Sequence, residues 1–465
     1  MIKTRFAPSP TGYIHLGNAR TALFSFLLAK SQAGCFLLRI EDSDATRSLQ
    51  ALSEQVQVDL LWLGLPWQEG PGKAAGEGPY FQSQRQAVYE HYYQKLQDLG
   101  RAYPCFCTEQ TLLMERKRQL SQGKPPRYSG VCRQLSETQV AEKKTQGKKA
   151  SLRFQVLPAQ TIEFYDLVKG EQAFSSDDIG DFIIQRSDGS AAFFFCNAID
   201  DALMEVTHVL RGEDHLTNTP RQIMLLQALD LAIPAYGHMS LIVGEDGAPL
   251  SKRHGSFSLK ALRELGYFPE ALQNYLARLG HTYMNPAFMD MQGLSQEFSL
   301  KRLGKSPARY DNTQLLYWQK QALAQSSDNQ LIAWIGEESK NLVPKALMPE
   351  FIALIRSNSS FPDEALQWAK TLFDRPLLLS NEAKSFLKSI APHFWESADR
   401  LLEKQIAFKT FMQQLKDEVK LKGKALFSPL RMALTGRLDG PEMEKLYLLI
   451  GNEKIRERIL YAKNL

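Results

Sequence analysis

The chain has 465 residues, of which 44% are apolar and 23% charged, with a net charge of +5 and five cysteines. That length exceeds what a single hydrophobic core organises, so about two to four domains are expected. The composition excludes a disordered chain, the few cysteines exclude a disulfide framework, and no apolar run reaches the length of a membrane span.

The first residues, Met1-Ile2-Lys3-Thr4-Arg5-Phe6, lead into strand-like sequence and not into a secretory leader, so a cytoplasmic location is expected. Ile2 to Ala7 reads as the first strand, followed by the loop Pro8-Ser9-Pro10-Thr11-Gly12-Tyr13-Ile14-His15-Leu16-Gly17-Asn18 and an apolar helix over residues 19–30. A helix start offers unpaired N–H groups and a positive dipole end, both suited to phosphate. His15 and Asn18 add side-chain donors there, and Gly17 lets a base or phosphate approach the backbone. By itself such a segment reads more readily as an ordinary helix cap. Cys35 to Ile40 reads as a second buried strand ending at Glu41-Asp42. Strand, loop, helix and strand open a parallel nucleotide-binding sheet whose site lies at the strand C-termini.

Residues 68–80, rich in Gly and Pro, read as an exit from that sheet into an inserted region ending near Asp188-Gly189. The insertion holds Cys105, Cys107 and Cys132, and its residues 115–149 carry ten Lys/Arg against three Asp/Glu. Sheet-like sequence resumes at Ala192 to Ile199 and again at Val206 to Leu210. Val243-Gly244-Glu245-Asp246-Gly247 reads as a tight turn that delivers Leu250-Ser251-Lys252-Arg253-His254-Gly255, a loop suited to closing on a polyphosphate. Beyond about residue 310 the apolar spacing is helical to the end, and residues 401–465 carry thirteen Lys/Arg against eight Asp/Glu. Two separated basic regions suit a long anionic partner, although two solvated helix faces would read the same.

Taken together, Arg5-Phe6-Ala7-Pro8-Ser9-Pro10-Thr11-Gly12, the turn from His15 to Asn18, Arg39-Ile40-Glu41-Asp42, Arg211-Gly212-Glu213-Asp214-His215 and the Lys252 loop resemble bacterial glutamyl-tRNA synthetases. These are class I aminoacyl-tRNA synthetases of the glutamate/glutamine subgroup, with nucleotide motifs called HIGH and KMSKS. The likeness runs from residue 2 to about 320 and resumes at Gly423-Lys424-Ala425-Leu426-Phe427-Ser428-Pro429-Leu430-Arg431. It implies an α/β Rossmann-like catalytic domain over residues 1–75 and 190–255. An inserted α+β acceptor-binding domain over 76–189, a stem-contact helical region over 256–315 and an all-α anticodon-binding region over 316–465 complete the implied organisation.

The resemblance implies ATP-dependent ligation of L-glutamate to tRNA through a glutamyl-adenylate, with Mg²⁺ accompanying the ATP. His15 and Lys252 are the implied catalytic residues, and Gly17, Asn18, Glu213, Ser251, Lys252 and Arg253 the implied ATP contacts. Arg5 and Arg211 would offer forked donors to the glutamate side-chain carboxylate. Glu41 would meet the α-ammonium, with Ser9, Phe193 and Asn197 alongside. Two departures from the family pattern stand out. Pro249 replaces the first lysine of KMSKS, which points to altered loop behaviour or ATP affinity. Phe193 replaces a usual tyrosine within Ser190-Ala191-Ala192-Phe193-Phe194-Phe195, which points to weaker glutamate binding or changed selectivity.

Cys105, Cys107 and Cys132, with Tyr128, are similar to a zinc site in the inserted domain of some members, and Gln134 stands where a histidine is common. Three free cysteines remain the other reading. The implied partner is tRNA-Glu, with tRNA-Gln as the alternative or additional acceptor, and a monomer is expected. The helical C-terminal third argues against glutaminyl-tRNA synthetase, whose anticodon domains are β-barrels, and against the truncated relative and small-molecule nucleotidyltransferases. A non-catalytic RNA-binding relative is disfavoured by intact Arg5, His15, Asn18, Glu41 and Lys252.

Overall fold

The computed structural model describes residues 1–42, 50–76, 78–123, 125–244, 246–248, 250, 258–374 and 377–465. Pro249, Ser251, Lys252 and Arg253, on which part of the sequence reading falls, lie outside the described residues, as does Lys124. The chain divides into two compact units, Met1–Arg263 with Leu272–Leu315, and Glu264–Ala271 with Leu316–Leu465.

In the first unit, strands β1 (Lys3–Phe6), β2 (Cys35–Leu38), β8 (His208–Gly212) and β9 (Ala235–Met239) form a parallel sheet in the order β2-β1-β8-β9. β1 falls where the sequence reads a strand, and although Lys-Thr-Arg-Phe is mostly polar, all four residues are buried. The burial is tolerable because each polar group has a partner. Lys3 pairs with Glu69 at 2.8 Å, Thr4 Oγ1 donates to the Ser25 carbonyl at 2.8 Å, and Arg5 Nε donates to Asp201 at 3.3 Å.

Helix Leu16–Ser31 connects β1 to β2, three residues earlier than its apolar run begins, and is buried around most of its circumference. Gly34 closes the connection, since a Cβ there would stand 2.2 Å from the Ile2 carbonyl oxygen. From β1 the chain moves outward to β2 on one side, and β8 lies on the other. The sheet order therefore reverses at β1 and β8, and their C-terminal ends frame the crevice where ligands bind in open α/β sheets.

Between β2 and β8 lie an antiparallel sheet of β3 (Ala102–Cys105), β4 (Ser151–Phe154) and β7 (Phe182–Gln185), and a hairpin of β5 (Thr161–Asp166) and β6 (Gly170–Ser175). Short strands β10 (Ile242–Val243) and β11 (Ala308–Arg309) pair in parallel. One expectation is corrected: Ala192 to Ile199 is not strand but the start of helix Phe193–Leu203, which packs on helix Thr219–Leu229. A short apolar run is compatible with either state, and here unbroken burial from Phe195 through Asp201 does not distinguish them, so packing against helix Thr219–Leu229 decides for helix.

The second unit is helical among its described residues. Its core joins side chains such as Phe351, Trp368, Trp395, Phe411 and Leu446 from successive helices. No helix among the described residues is long and apolar enough to cross a membrane.

Candidate active site

A cavity of about 390 Å³ opens at the C-terminal ends of β1 and β8. Its lining brings together Arg5, Ser9, His15, Gly17, Asn18, Glu41, Phe193, Asn197 and Arg211, residues spread over most of the first unit's sequence. Among the described residues of the sequence reading, Glu213 does not line the cavity; its carboxylate pairs with Lys169 and accepts the Leu241 N–H at 3.1 Å.

His15 is the N-cap of helix Leu16–Ser31. Its Nδ1 accepts from the Gly17 and Asn18 amides at 3.2 and 3.4 Å, so the ring proton resides on Nε2. Desolvation of the ring holds its pKa below the ordinary imidazole value, which keeps this tautomer populated. The helix start thus presents an imidazole N–H as well as its own dipole to an anion. A Cβ at Gly17 would approach the imidazole to 3.1 Å, so any side chain there would press on the capping ring.

Behind the cavity lies a buried charge network. Arg39, fully buried, donates to Asp201 at 2.7 Å and to Glu41 at 3.2 Å, and its Nε lies 3.8 Å from Asp200. Asp200 in turn accepts from Arg85 at 2.7 Å, and from Gln82 and Tyr89, each at 2.8 Å. Asn197 Nδ2 donates to Glu41 Oε1, while its own oxygen accepts from Gln222 at 3.3 Å. Burial raises the Glu41 pKa, against the pull of Arg39 and Arg5, so this carboxyl is poised to be drawn into its charged form by a cation. For Asp201, burial is outweighed by Arg5 and Arg39, and its pKa is lowered.

Arg211 is buried, its Nε donating to His238 Nε2 at 3.1 Å and its Nη2 to Thr219 Oγ1 at 2.8 Å. Nη1 is buried without a hydrogen-bond partner among the described residues. Burial lowers the guanidinium pKa to about 10, leaving it charged at neutral pH. A desolvated cationic donor of this kind is costly unless a ligand anion completes it. Arg5 donates to Asp201 and, at 3.3 Å, to the Leu210 carbonyl. Phe193 packs on His215 with ring centroids 5.3 Å apart, a contact that needs no hydroxyl.

Phe193 also borders a second cavity, of about 1280 Å³, in the inserted region. Its lining includes Arg116, Arg127, Lys143, Lys148, Lys149 and Arg186 together with Phe106 and Phe194. Cations for phosphates beside aromatic faces for bases are what a single-stranded nucleic-acid end needs. At its edge the Tyr128 hydroxyl lies 3.5 Å from both Cys105 and Cys107, and Cys107 Sγ is 3.6 Å from Cys132 Sγ. A tetrahedral zinc with sulfur ~2.3 Å away has S···S edges of ~3.8 Å, so three sulfurs and a phenolic oxygen converge here with fitting spacing. Despite burial, hydrogen bonds from Tyr128 and Arg153 bring the Cys105 thiol down to about 7, whereas burial pushes the neighbouring Cys107 thiol up to about 11.

Sequence reasoning missed Asp200, Asp201, Asp166 and His238. The first two carry a local signal, paired acids within the apolar run Phe193–Leu203, where a carboxylate needs a partner. The other two carry none.

A parallel sheet with a helix-start anion site and a buried carboxylate-and-guanidinium pocket at its switch point defines a nucleotide-dependent enzyme that handles a charged substrate. The chain belongs to the family described as tRNA synthetases class I (E and Q), whose catalytic-domain model matches residues 1–317, and an anticodon-binding-domain model matches residues 318–463. It is 50% identical over 469 aligned positions to a protein of Coxiella burnetii named glutamate–tRNA ligase 2, covering 99% of this chain and 100% of that one. It is 52% identical to the glutamate–tRNA ligase 2 of Nitrosococcus oceani, covering 98% and 97%. Among solved structures, a glutamate tRNA ligase from Elizabethkingia meningosepticum in complex with its amino acid is similar, with a TM-score of 0.89 and 28% identity over 100% of this chain and 99% of that one.

Proposed function

We propose that this chain is a glutamate–tRNA ligase that works in two steps. In the first, a carboxylate oxygen of L-glutamate attacks the α-phosphorus of ATP, and the bond to pyrophosphate breaks. In the second, a ribose hydroxyl of the terminal adenosine of tRNA attacks the glutamyl carbonyl carbon, and AMP leaves. Neither step needs a protein nucleophile, so positioning and charge stabilisation supply the rate. The observation that carries this reading is the buried, unpartnered Arg211 Nη1 in the same cavity as Glu41 and the His15 helix cap.

In this reading Arg211 and Arg5 receive the side-chain carboxylate, and Glu41, held by Asn197 beside Ser9, receives the α-ammonium. Glutamine would turn an amide N–H toward the guanidinium donors and bind more weakly. His15, Asn18 and the amides near Gly17 meet the phosphates, with Glu213, Ser251, Lys252 and Arg253 as further ATP contacts. Mg²⁺ bound to ATP supplies charge neutralisation at the phosphates.

The insertion, residues 76–189, takes the acceptor end of tRNA in its basic and aromatic cavity. Residues 256–315 contact the stem, and 316–465 read the anticodon. Zinc held by Cys105, Cys107, Cys132 and Tyr128 braces the insertion. The protein acts as a cytoplasmic monomer on tRNA-Glu, with tRNA-Gln as the alternative or additional acceptor, a choice made by residues of the anticodon-binding region. Charging assays with labelled glutamate, ATP, Mg²⁺ and each tRNA transcript test this directly. Glutamyl-tRNA is expected with the wild type and is lost, by about 100-fold or more, in His15→Ala and Lys252→Ala. No product with either tRNA would falsify the assignment.

A further inference from the structure

Arg211 is held from behind by buried groups that touch none of the reacting atoms. The parallel register of β8 and β9 sets Arg211 opposite His238, and Asp166, the last residue of β5, lies beyond it. Asp166 and His238 are fully buried. Asp166 Oδ1 accepts three backbone N–H groups, from Val168 at 2.9 Å, Lys169 at 2.7 Å and His238 at 3.2 Å, which pins the carboxylate plane. Its Oδ2 faces His238 Nδ1. Burial of Asp166 is outweighed by these hydrogen bonds, that of His238 first, so its pKa is lowered and it can only accept. Nδ1 of His238 therefore carries the proton.

Nε2 is left as a bare acceptor, facing the Arg211 Nε–H at 3.1 Å and the Thr219 hydroxyl at 3.0 Å. Thr219 also accepts from Arg211 Nη2, and the guanidinium carbon lies 5.1 Å from the centroid of the Tyr236 ring beneath it. Nε and Nη2 are thus tied, while Nη1 has no hydrogen-bond partner among the described residues and is free for a ligand. The opposite tautomer would set an N–H against an N–H at Arg211 and turn the fork away.

We propose that Asp166 and His238 form a positioning dyad that fixes the Arg211 fork by fixing the His238 tautomer, and so set affinity for the substrate's side-chain carboxylate. The proposal rests on the reading of Arg211 as the carboxylate-binding residue. The dyad is not catalytic: it acts on glutamate only through Arg211.

Asp166→Asn isolates the tautomer. The three N–H donors hold the amide oxygen at the Oδ1 position, so the NH₂ group lies at Oδ2, donates to Nδ1 and moves the histidine proton to Nε2. His238→Gln has no Nδ1 but keeps an amide oxygen near the Nε2 position, which still accepts from Arg211. In tRNA charging with the full chain, Asp166→Asn is expected to raise the glutamate KM about 10–100-fold, with the ATP KM unchanged. In the His238→Gln background the same substitution should have less than a threefold effect, because no tautomer remains to be switched. Arg211→Ala separates the layers. If it leaves the glutamate KM unchanged, the carboxylate-binding reading of Arg211 falls and the dyad with it. If it raises that KM while Asp166→Asn does not, or if Asp166→Asn acts equally in both backgrounds, the dyad alone is refuted.

Discussion

Glu41→Gln removes a charge with almost no change in shape, and its consequences can be worked through in detail. Glu41 is buried, its Oε1 accepting from Arg39 at 3.2 Å and from Asn197, and an amide oxygen can keep both bonds. What is lost is the charge facing an α-ammonium. A hydrogen bond to a charged group contributes about 1.5–3 kcal/mol, so the glutamate KM should rise about 10–100-fold while the ATP KM stays within about twofold. A pH series adds a second test. Burial raises the Glu41 pKa, with Arg39 and Arg5 opposing, and only the ionised form pairs with the ammonium. The wild-type glutamate KM should therefore climb as pH falls through that raised pKa, approaching tenfold per pH unit below it, and the Gln variant should lack this rise. Unliganded stability has the opposite sign. A carboxyl whose folded pKa is raised binds its proton more readily when folded, so its contribution is fully present below the unfolded-state pKa and is lost as pH rises from there through the folded pKa. Steady-state charging at saturating ATP and tRNA reads the first effect and thermal unfolding without ligand the second. A Gln variant with wild-type glutamate KM and an unchanged pH profile would refute the ammonium assignment.

Three further outcomes are expected. Purified protein should carry about one equivalent of zinc, released by a chelator and absent from Cys132→Ser; less than about a tenth of an equivalent rules the site out. Asp200→Asn should destabilise the catalytic unit by about 3–5 kcal/mol, because Arg85 and Arg39 lose a buried counter-charge. Its unfolding transition should fall while that of the C-terminal unit stays in place, and coincident unchanged melting curves would contradict this. Phe193→Tyr restores a hydroxyl at the cavity edge and should lower the glutamate KM severalfold, on the order of one hydrogen bond; an increase would mean that packing against His215 matters more.

The features legible in the sequence were those made by contiguous residues. The loop from Pro8 to Asn18 delivers a helix cap whose donors are neighbours along the chain, so His15, Gly17 and Asn18 could be placed together before any fold was known. Arg5 and Glu41 sit at the ends of successive buried strands, and strand ends are where a parallel sheet puts its ligands. The run Ala192 to Ile199 failed because its apolar residues satisfy a buried strand and a buried helix alike, and the choice was made by packing against helix Thr219–Leu229. Glu213 shows a different limit: the motif placed it, but its partner Lys169, 44 residues away in the chain, carries no local signal.

By itself, then, the sequence determined the order of strand, phosphate loop and helix, the helical character of the last third, and which charged side chains stand at the sheet's ligand edge. These follow from local periodicity and short-range hydrogen bonding. Tertiary structure alone decided the partners of those charges. Arg5 finds Asp201 across 196 positions, and Arg211 finds His238 because two parallel strands share a register, with Asp166 arriving from a separate hairpin. Burial makes each such charge costly without a partner, and nothing in local sequence names the partner. It is chosen when distant strands and helices close around the site.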